Sequence, residues 1–132
     1  MDRIWDSHIH LFPDKLLQAI WKWFAAAGWR IPYSGRDPES LHSTLKETGT
    51  ERAFLLPYAH KPDISHDLNR WVRDFCRDHP RLVPFASVHP GDEDIHSVLE
   101  TALAERGFPG IKLQLAVKRT PAQDSALFPV YR

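Results

Sequence analysis

The chain has little cysteine, no excess charge of either sign and no long apolar run. Cys76 is its only cysteine in 132 residues, so no disulfide can form within the chain, and a reducing compartment is indicated. Seventeen Lys and Arg residues balance seventeen Asp and Glu residues, which disfavours nucleic acids and acidic membranes as partners. No apolar stretch approaches the roughly 20 residues needed to span a bilayer. We therefore expect a soluble, cytoplasmic protein that acts on a small molecule.

Motifs for two common kinds of chemistry are also missing. The sequence contains neither a glycine-rich phosphate loop nor a Gly-x-Ser-x-Gly nucleophile elbow. Cys76 lies on the apolar stripe of a predicted helix, where a buried thiol is a poor nucleophile. The aromatic residues of WKWF, at 21–24, recur at helical spacing beside Leu and Ala, which favours a core role over base stacking.

Strand-like and helix-like segments alternate along the chain. Strands are predicted at 3–10, 52–60, 82–89 and 110–115, and helices at 13–28, 36–49, 63–79 and 94–106, with a further helix beginning near 124. We place Pro84 near the beginning of the third strand, because proline cannot donate to a central ladder. The order predicts a parallel sheet with right-handed crossovers.

Polar residues at the ends of the predicted strands separate two possible architectures. A small doubly wound sheet would pack these residues under helices, whereas a β/α barrel collects them at its active-site mouth. The residues are Asp6, His8 and His10, then Tyr58 and His60, then Ser87 and His89, then Lys112 and Gln114. We therefore predict an α/β fold, a partial TIM-type (β/α)8 barrel with about the first four β/α units. Residues 1–132 are expected to be its N-terminal half, without a separate second domain.

The segment IWDSHIHLF, residues 4–12, carries an aspartate and two histidines on alternate positions. In an extended strand, Asp6, His8 and His10 share one face, because successive side chains point in opposite directions. That face is suited to holding an ion. The alternative is the solvent-exposed polar face of an edge strand.

These residues resemble those of a known family. DSHIH resembles the Asp-x-His-x-His signature of the amidohydrolase superfamily of metal-dependent β/α-barrel enzymes. HPRLVPFASVHP and GFPGIKLQL resemble the third and fourth strand segments of the branch related to aminocarboxymuconate semialdehyde decarboxylase. The resemblance implies that His8 and His10 bind a divalent metal, most often zinc. From its place one pleat below on the same face, Asp6 is a candidate to orient a ligand.

Other polar residues are weaker candidates for the same site. Some members of the superfamily carry a carboxylated lysine on the fourth strand, but Lys112 is better interpreted as a structural or substrate-facing residue. His60 and His89 end predicted strands and are candidates for the pocket lining. No function is assigned to Gln114, where the family often has a histidine. Four histidines on helices or helix ends are expected at the surface, namely His42, His66, His79 and His96.

The resemblance leaves three functions open. Family enzymes take a further metal-binding histidine from the fifth strand, often a catalytic histidine from the sixth, and an aspartate from the eighth, so no catalytic residue is assigned here. The first hypothesis is a hydrolase of amide, ester or lactone bonds, incomplete as given. The second is a nonoxidative decarboxylase of an aromatic or muconate-like acid, and the third is a noncatalytic truncated half barrel. A homo-oligomer or a complementing C-terminal half is the expected partner.

Overall fold

The computed structural model describes residues 3–105, 107–115 and 119–132. Their elements, in chain order, are β1 (Ile4–Ile9), α1 (Asp14–Ala26), α2 (Pro38–Glu47), β2 (Thr50–Leu55), α3 (Ser65–Asp78), β3 (Leu82–Pro84), β4 (Ala86–Ser87), α4 (Ile95–Glu100), β5 (Ile111–Lys112) and α5 (Phe128–Tyr131). A π-helical segment, Thr101–Glu105, continues α4, and a 3-10 turn, Ser125–Leu127, precedes α5. The end predicted for the fourth long helix, Arg106, lies outside the described residues.

The described strands are parallel, and their spatial order follows the chain. β2 lies between β1 and β3, while β4 pairs with β5. Phe85 joins the two sheets, because its N–H donates to Leu55 at 3.0 Å and the next N–H, of Ala86, donates to Gly110 at 2.9 Å. A doubly wound sheet reverses its strand order at a switch point. The described strands advance in one direction, which confirms the predicted α/β fold of a partial β/α barrel.

Prolines make the observed strands shorter than the predicted ones. The prediction for Pro84 was wrong, because this residue ends β3, opposite Leu55, and does not begin the strand. The second strand also ends at Leu55, two residues before Pro57, and not at His60. His60 therefore lies in the loop after β2. A proline supplies no N–H to the ladder, which explains why the pairing stops or changes partner at these points.

The first two helices begin and end at the residues that the sequence indicates. Asp37 caps α2, since its carboxylate accepts the N–H of Ser40 at 2.8 Å, and these bonds lower its pKa. Gly28 and Gly49 follow the two helices with φ angles of 76° and 77°, a left-handed conformation that glycine adopts without strain. None of the helices within the described ranges is long and apolar enough to cross a membrane.

The main core lies between the sheet and helices α1 to α3. Its fully buried members include Leu17, Leu55 and Val72, and Cys76 is 7% exposed, as predicted. Burial raises the pKa of the Cys76 thiol to about 12. The WKWF prediction is confirmed only in part, because Trp21 packs against this core whereas Trp23 is 65% exposed. The core thus fixes the positions of the strands whose carboxyl ends carry the candidate site.

Candidate metal site at the end of the first strand

The histidine segment interrupts the regular pairing of β1. Asp6 lies opposite Ala53 and Ile9 opposite Leu55, so three steps along β1 match two steps along β2. The Asp6 carboxylate accepts the backbone N–H of His8 at 3.0 Å within this irregularity. Asp6 therefore fixes the backbone that carries His8, and its effect on the imidazole is indirect.

The two histidines of this segment bring their imidazoles together. Their Nε2 atoms lie 3.0 Å apart, and the ring planes are nearly perpendicular, at 86°. His10 Nδ1 donates to the carbonyl of Leu56 at 2.6 Å, because a carbonyl oxygen can only accept. In the neutral ring this assigns the lone pair to Nε2, the atom that faces His8. The structure thus places both rings on one side of the strand end.

This arrangement fits a divalent metal. A tetrahedral zinc ion with bonds of about 2.0–2.1 Å holds its nitrogen ligands about 3.3 Å apart. The two Nε2 atoms, at 3.0 Å, are close to that separation. Metal-binding histidines usually donate their other ring N–H to a carbonyl or carboxylate, and the bond from His10 to Leu56 is of this kind. His8 and His10 could hold the ion with little rearrangement.

Two aromatic residues cover one side of His10. Tyr58 meets the imidazole edge to face at a centroid distance of 5.4 Å, and the buried Phe12 lies nearly parallel to it at 6.3 Å. Desolvation by these surroundings is the main cause that lowers the pKa of His10; the hydrogen bond to Leu56 opposes it, and the charge of Lys112 adds to it. The lowered pKa favours the neutral imidazole, the form that binds a metal.

Tyr58 belongs to the polar residues that the sequence places at the strand ends, but the sequence assigned it no role in the site. Burial raises the pKa of its phenol, so the ring against His10 stays uncharged. The available signal was its place among the polar residues that follow the second strand.

An open cavity of about 380 Å³ borders the site on the side of helices α1 and α2. Asp6 of β1 and the following His10 supply polar lining, with the hydroxyls of three threonines on the other side, while Trp21 and Leu41 supply apolar walls. A volume of roughly 300–1,000 Å³ is typical of small-molecule sites. Of the two candidate ligands, His10 therefore borders a space that a small substrate could occupy.

The other predicted pocket residues are placed differently. Lys112 lies on β5, where its charge reaches His10. His60 is exposed in the loop after β2. His89 belongs to a turn in which its Nδ1 accepts the N–H of Gly91 at 3.0 Å and its own N–H donates to Asp92 at 2.8 Å. The turn engages one ring nitrogen of His89, and a lining role for this residue and His60 stays a prediction.

Two histidines expected at the surface are not there. His42 is 4% exposed, and the side chain of His79 is 12% exposed. The expectation was wrong because the C-terminal end of α3 packs against α2 and covers both rings. Glu39 joins them in a compact group. The sequence contained only a faint signal of this group, the three-residue spacing from Glu39 to His42.

With this geometry established, comparison with known proteins gives one match. A family model described as amidohydrolase matches residues 5–132. The chain belongs to the amidohydrolase family. No curated protein and no solved structure matches it. The match begins at the second residue of β1 and includes DSHIH and all the later described strands. This amidohydrolase therefore has a domain of a hydrolase-type enzyme family, and members of that family typically bind divalent metals.

Proposed function

We propose that this amidohydrolase chain supplies part of the metal centre of a hydrolase, with His8 and His10 as two ligands of a zinc ion. The observation that carries the proposal is the convergence of the two Nε2 atoms at 3.0 Å, while His10 Nδ1 is held by Leu56. Zinc suits this donor set because imidazole nitrogen is one of its preferred ligands.

Each neighbouring group has a definable part in this proposal. Asp6 holds the backbone of His8, and Tyr58 and Phe12 keep water from one side of His10. Lys112 adds positive charge close to His10, which favours a substrate with a polarised carbonyl or a carboxylate. A divalent ion held here would supply a water of lowered pKa, near 7, suited to attack on an amide, ester or lactone.

Two histidines do not complete such a centre. Catalytic zinc generally has three protein ligands and one open position. We propose that residues 1–132 form the first half of the barrel and that the missing ligands, with the catalytic acid and base, come from the strands that complete it. A further chain segment, a second copy or a complementing half could supply them. We place the assembly in the cytoplasm on the basis of the single free Cys76.

The reaction itself has an alternative in the same scaffold. The likeness of SVHP and GIKL to the decarboxylase-related branch favours a nonoxidative decarboxylase, in which the metal would polarise an aromatic or muconate-like acid. Isotope-labelled carboxylates distinguish the two reactions in the completed barrel. Hydrolysis without release of labelled carbon dioxide supports the hydrolase, and stoichiometric release supports the decarboxylase. A chain that forms no active assembly would support the noncatalytic half barrel.

Elemental analysis of zinc tests the proposed ligands. The completed barrel is loaded with zinc and dialysed, and its metal content is compared with that of the same assembly carrying His8→Ala and His10→Ala. We expect the double variant to lose one equivalent, while His96→Ala, an exposed histidine on α4, retains the wild-type content. Equal zinc content in the double variant and the wild type would overturn the assignment.

A further inference from the structure

A second group of metal-binding residue types lies at the opposite end of the sheet from His8 and His10. Glu39 and His42 lie three residues apart on α2 and so share one face of that helix, and His79 directly follows the last residue of α3. One ligand atom from each lies within 4.8 Å of the other two. His42 neighbours Thr50 and Leu82, the first residues of β2 and β3, so this group is at the amino ends of the strands.

The ring of His79 is fixed in orientation. Its Nδ1 donates to the carbonyl of Phe75 at 2.7 Å, and its ring stacks on the Phe75 ring at a centroid distance of 4.2 Å. In the neutral imidazole, Nε2 therefore carries the lone pair, and this atom lies 2.9 Å from a carboxylate oxygen of Glu39. Two acceptors this close require a cation between them, which is either a proton or a metal ion.

The surroundings of His42 favour a metal ion over a proton between His79 and Glu39. His42 is only 4% exposed, and its ring nitrogens form no hydrogen bond with any residue in the described ranges. Its ring centroid lies 4.1 Å from that of His79. A proton shared by His79 and Glu39 satisfies those two side chains but leaves the buried His42 nitrogen unpaired, which is costly. A metal ion would bind one ring nitrogen of His42 as well as His79 and Glu39.

We propose that Glu39, His42 and His79 bind a divalent cation, with zinc as the best-fitting ion, and that it ties α2 to the end of α3. Two imidazoles and one carboxylate form a known zinc ligand set. Zinc needs ligand atoms about 3.3 Å apart, which lies between the 2.9 Å from His79 to Glu39 and the 4.8 Å limit of the group. The side chain of Glu39 is 68% exposed, which leaves the fourth position accessible to water.

The site joins two helices and is independent of the proposed function. Its three residues come from helix positions at the amino ends of the strands, away from the carboxyl-end site. A ligand that binds only the folded state stabilises that state in proportion to its affinity and concentration. Zinc should therefore raise the unfolding temperature of the chain even when the histidines of β1 are replaced.

The test uses the full 132-residue chain carrying His8→Ala and His10→Ala, so that zinc at the first strand cannot contribute. Zinc affinity is measured by competition with a chromophoric chelator, and the unfolding temperature is recorded with and without zinc. We expect one equivalent of zinc and a zinc-dependent rise in the unfolding temperature. Absence of zinc uptake would overturn the proposal in favour of a protonated His79 paired with Glu39.

A variant pair makes the test specific. Glu39→Gln keeps the shape of an exposed side chain, so folding should persist, and it should weaken zinc binding at least about tenfold. Glu47→Gln, on the same helix but outside the group, is the matched control and should bind zinc like its parent. Equal zinc affinity in the two variants would also overturn the proposal.

Discussion

His10 is tied to Leu56 by a hydrogen bond of 2.6 Å that joins the end of β1 to the residue after β2. The bond runs from Nδ1 and leaves Nε2 as the ring atom that faces His8. One imidazole thus has two separable tasks, because one nitrogen holds the strand ends together and the other is available to a metal.

The separation of these tasks can be tested with His10→Asn. An asparagine amide reaches the position of Nδ1 and can still donate to Leu56, but it has no atom in the place of Nε2. We expect the zinc affinity of the site formed by His8 and His10 to fall at least about tenfold. The unfolding temperature of the metal-free chain should stay close to that of the wild type. Chelator competition in a Glu39→Gln background, in which the second site is weakened, measures the affinity of this site. An undiminished affinity would show that Nε2 is not a ligand.

Asp6 should act on the metal site through the backbone. Asp6→Asn retains an oxygen that accepts the N–H of His8, whereas Asp6→Ala removes it. We therefore expect Asp6→Ala to weaken zinc binding at least about tenfold, because the backbone of His8 loses its fixed position, and Asp6→Asn to stay near wild type. The same chelator competition distinguishes them. If both variants lost affinity equally, the charge of Asp6 and not its hydrogen bond would be responsible.

Asn69 should be important for stability because it bonds both backbone groups of Ser87. Its amide donates to the Ser87 carbonyl at 2.9 Å and accepts the Ser87 N–H at 2.7 Å, with both residues fully buried. Asn69→Ala leaves two buried groups unpaired, at about 1–3 kcal/mol each. Urea unfolding measures the loss. Gln18→Ala removes an exposed hydrogen bond from the side-chain amide to Asp14 and is the control. It should change the free energy of unfolding by less than about 0.5 kcal/mol.

Cys76 should make stability fall at alkaline pH. Its folded-state pKa is about 12, whereas an unfolded thiol ionises near about 8.5. Between these values the folded chain binds more protons than the unfolded chain, so the free energy of unfolding decreases as pH rises, by about 1.4 kcal/mol per unit. Below about pH 8.5 the thiol contributes no slope.

The control for this prediction is Cys76→Ala, which removes the thiol but keeps every other titrating group. Denaturant unfolding of both chains at pH 7 to 11 isolates the contribution of the thiol as a difference between two slopes. Parallel pH profiles for the two chains would contradict the raised pKa.

Local sequence patterns were enough to predict much of the fold. The Asp37 cap and the glycines at 28 and 49 are local signals, so α1 and α2 could be predicted within a few residues. Strand lengths were predicted less well, because the effect of Pro84 depends on which neighbour the strand pairs with at that point. Local pattern decides the start of a helix, whereas the sheet decides the end of a strand.

The two histidine pairs show the same division between local and distant information. His8 and His10 are two residues apart, at the end of β1 and just beyond it, so alternation predicted that their rings would lie on one face. His42 and His79 are on different helices, and only the packing of α3 against α2 brings them together. The contact of Tyr58 with His10 could not be predicted for the same reason, since it depends on how the loop after β2 folds back.

The most direct test of the central claim is a zinc titration of the chain labelled with 15N at histidine, followed by NMR. Each histidine has its own ring-nitrogen signals, which single histidine variants assign. We predict that His8 and His10 shift together, at Nε2, with one common affinity, and that His96 does not shift. If the ring signals of His8 and His10 stayed unchanged, or shifted with different affinities, these two residues would not share a metal ion.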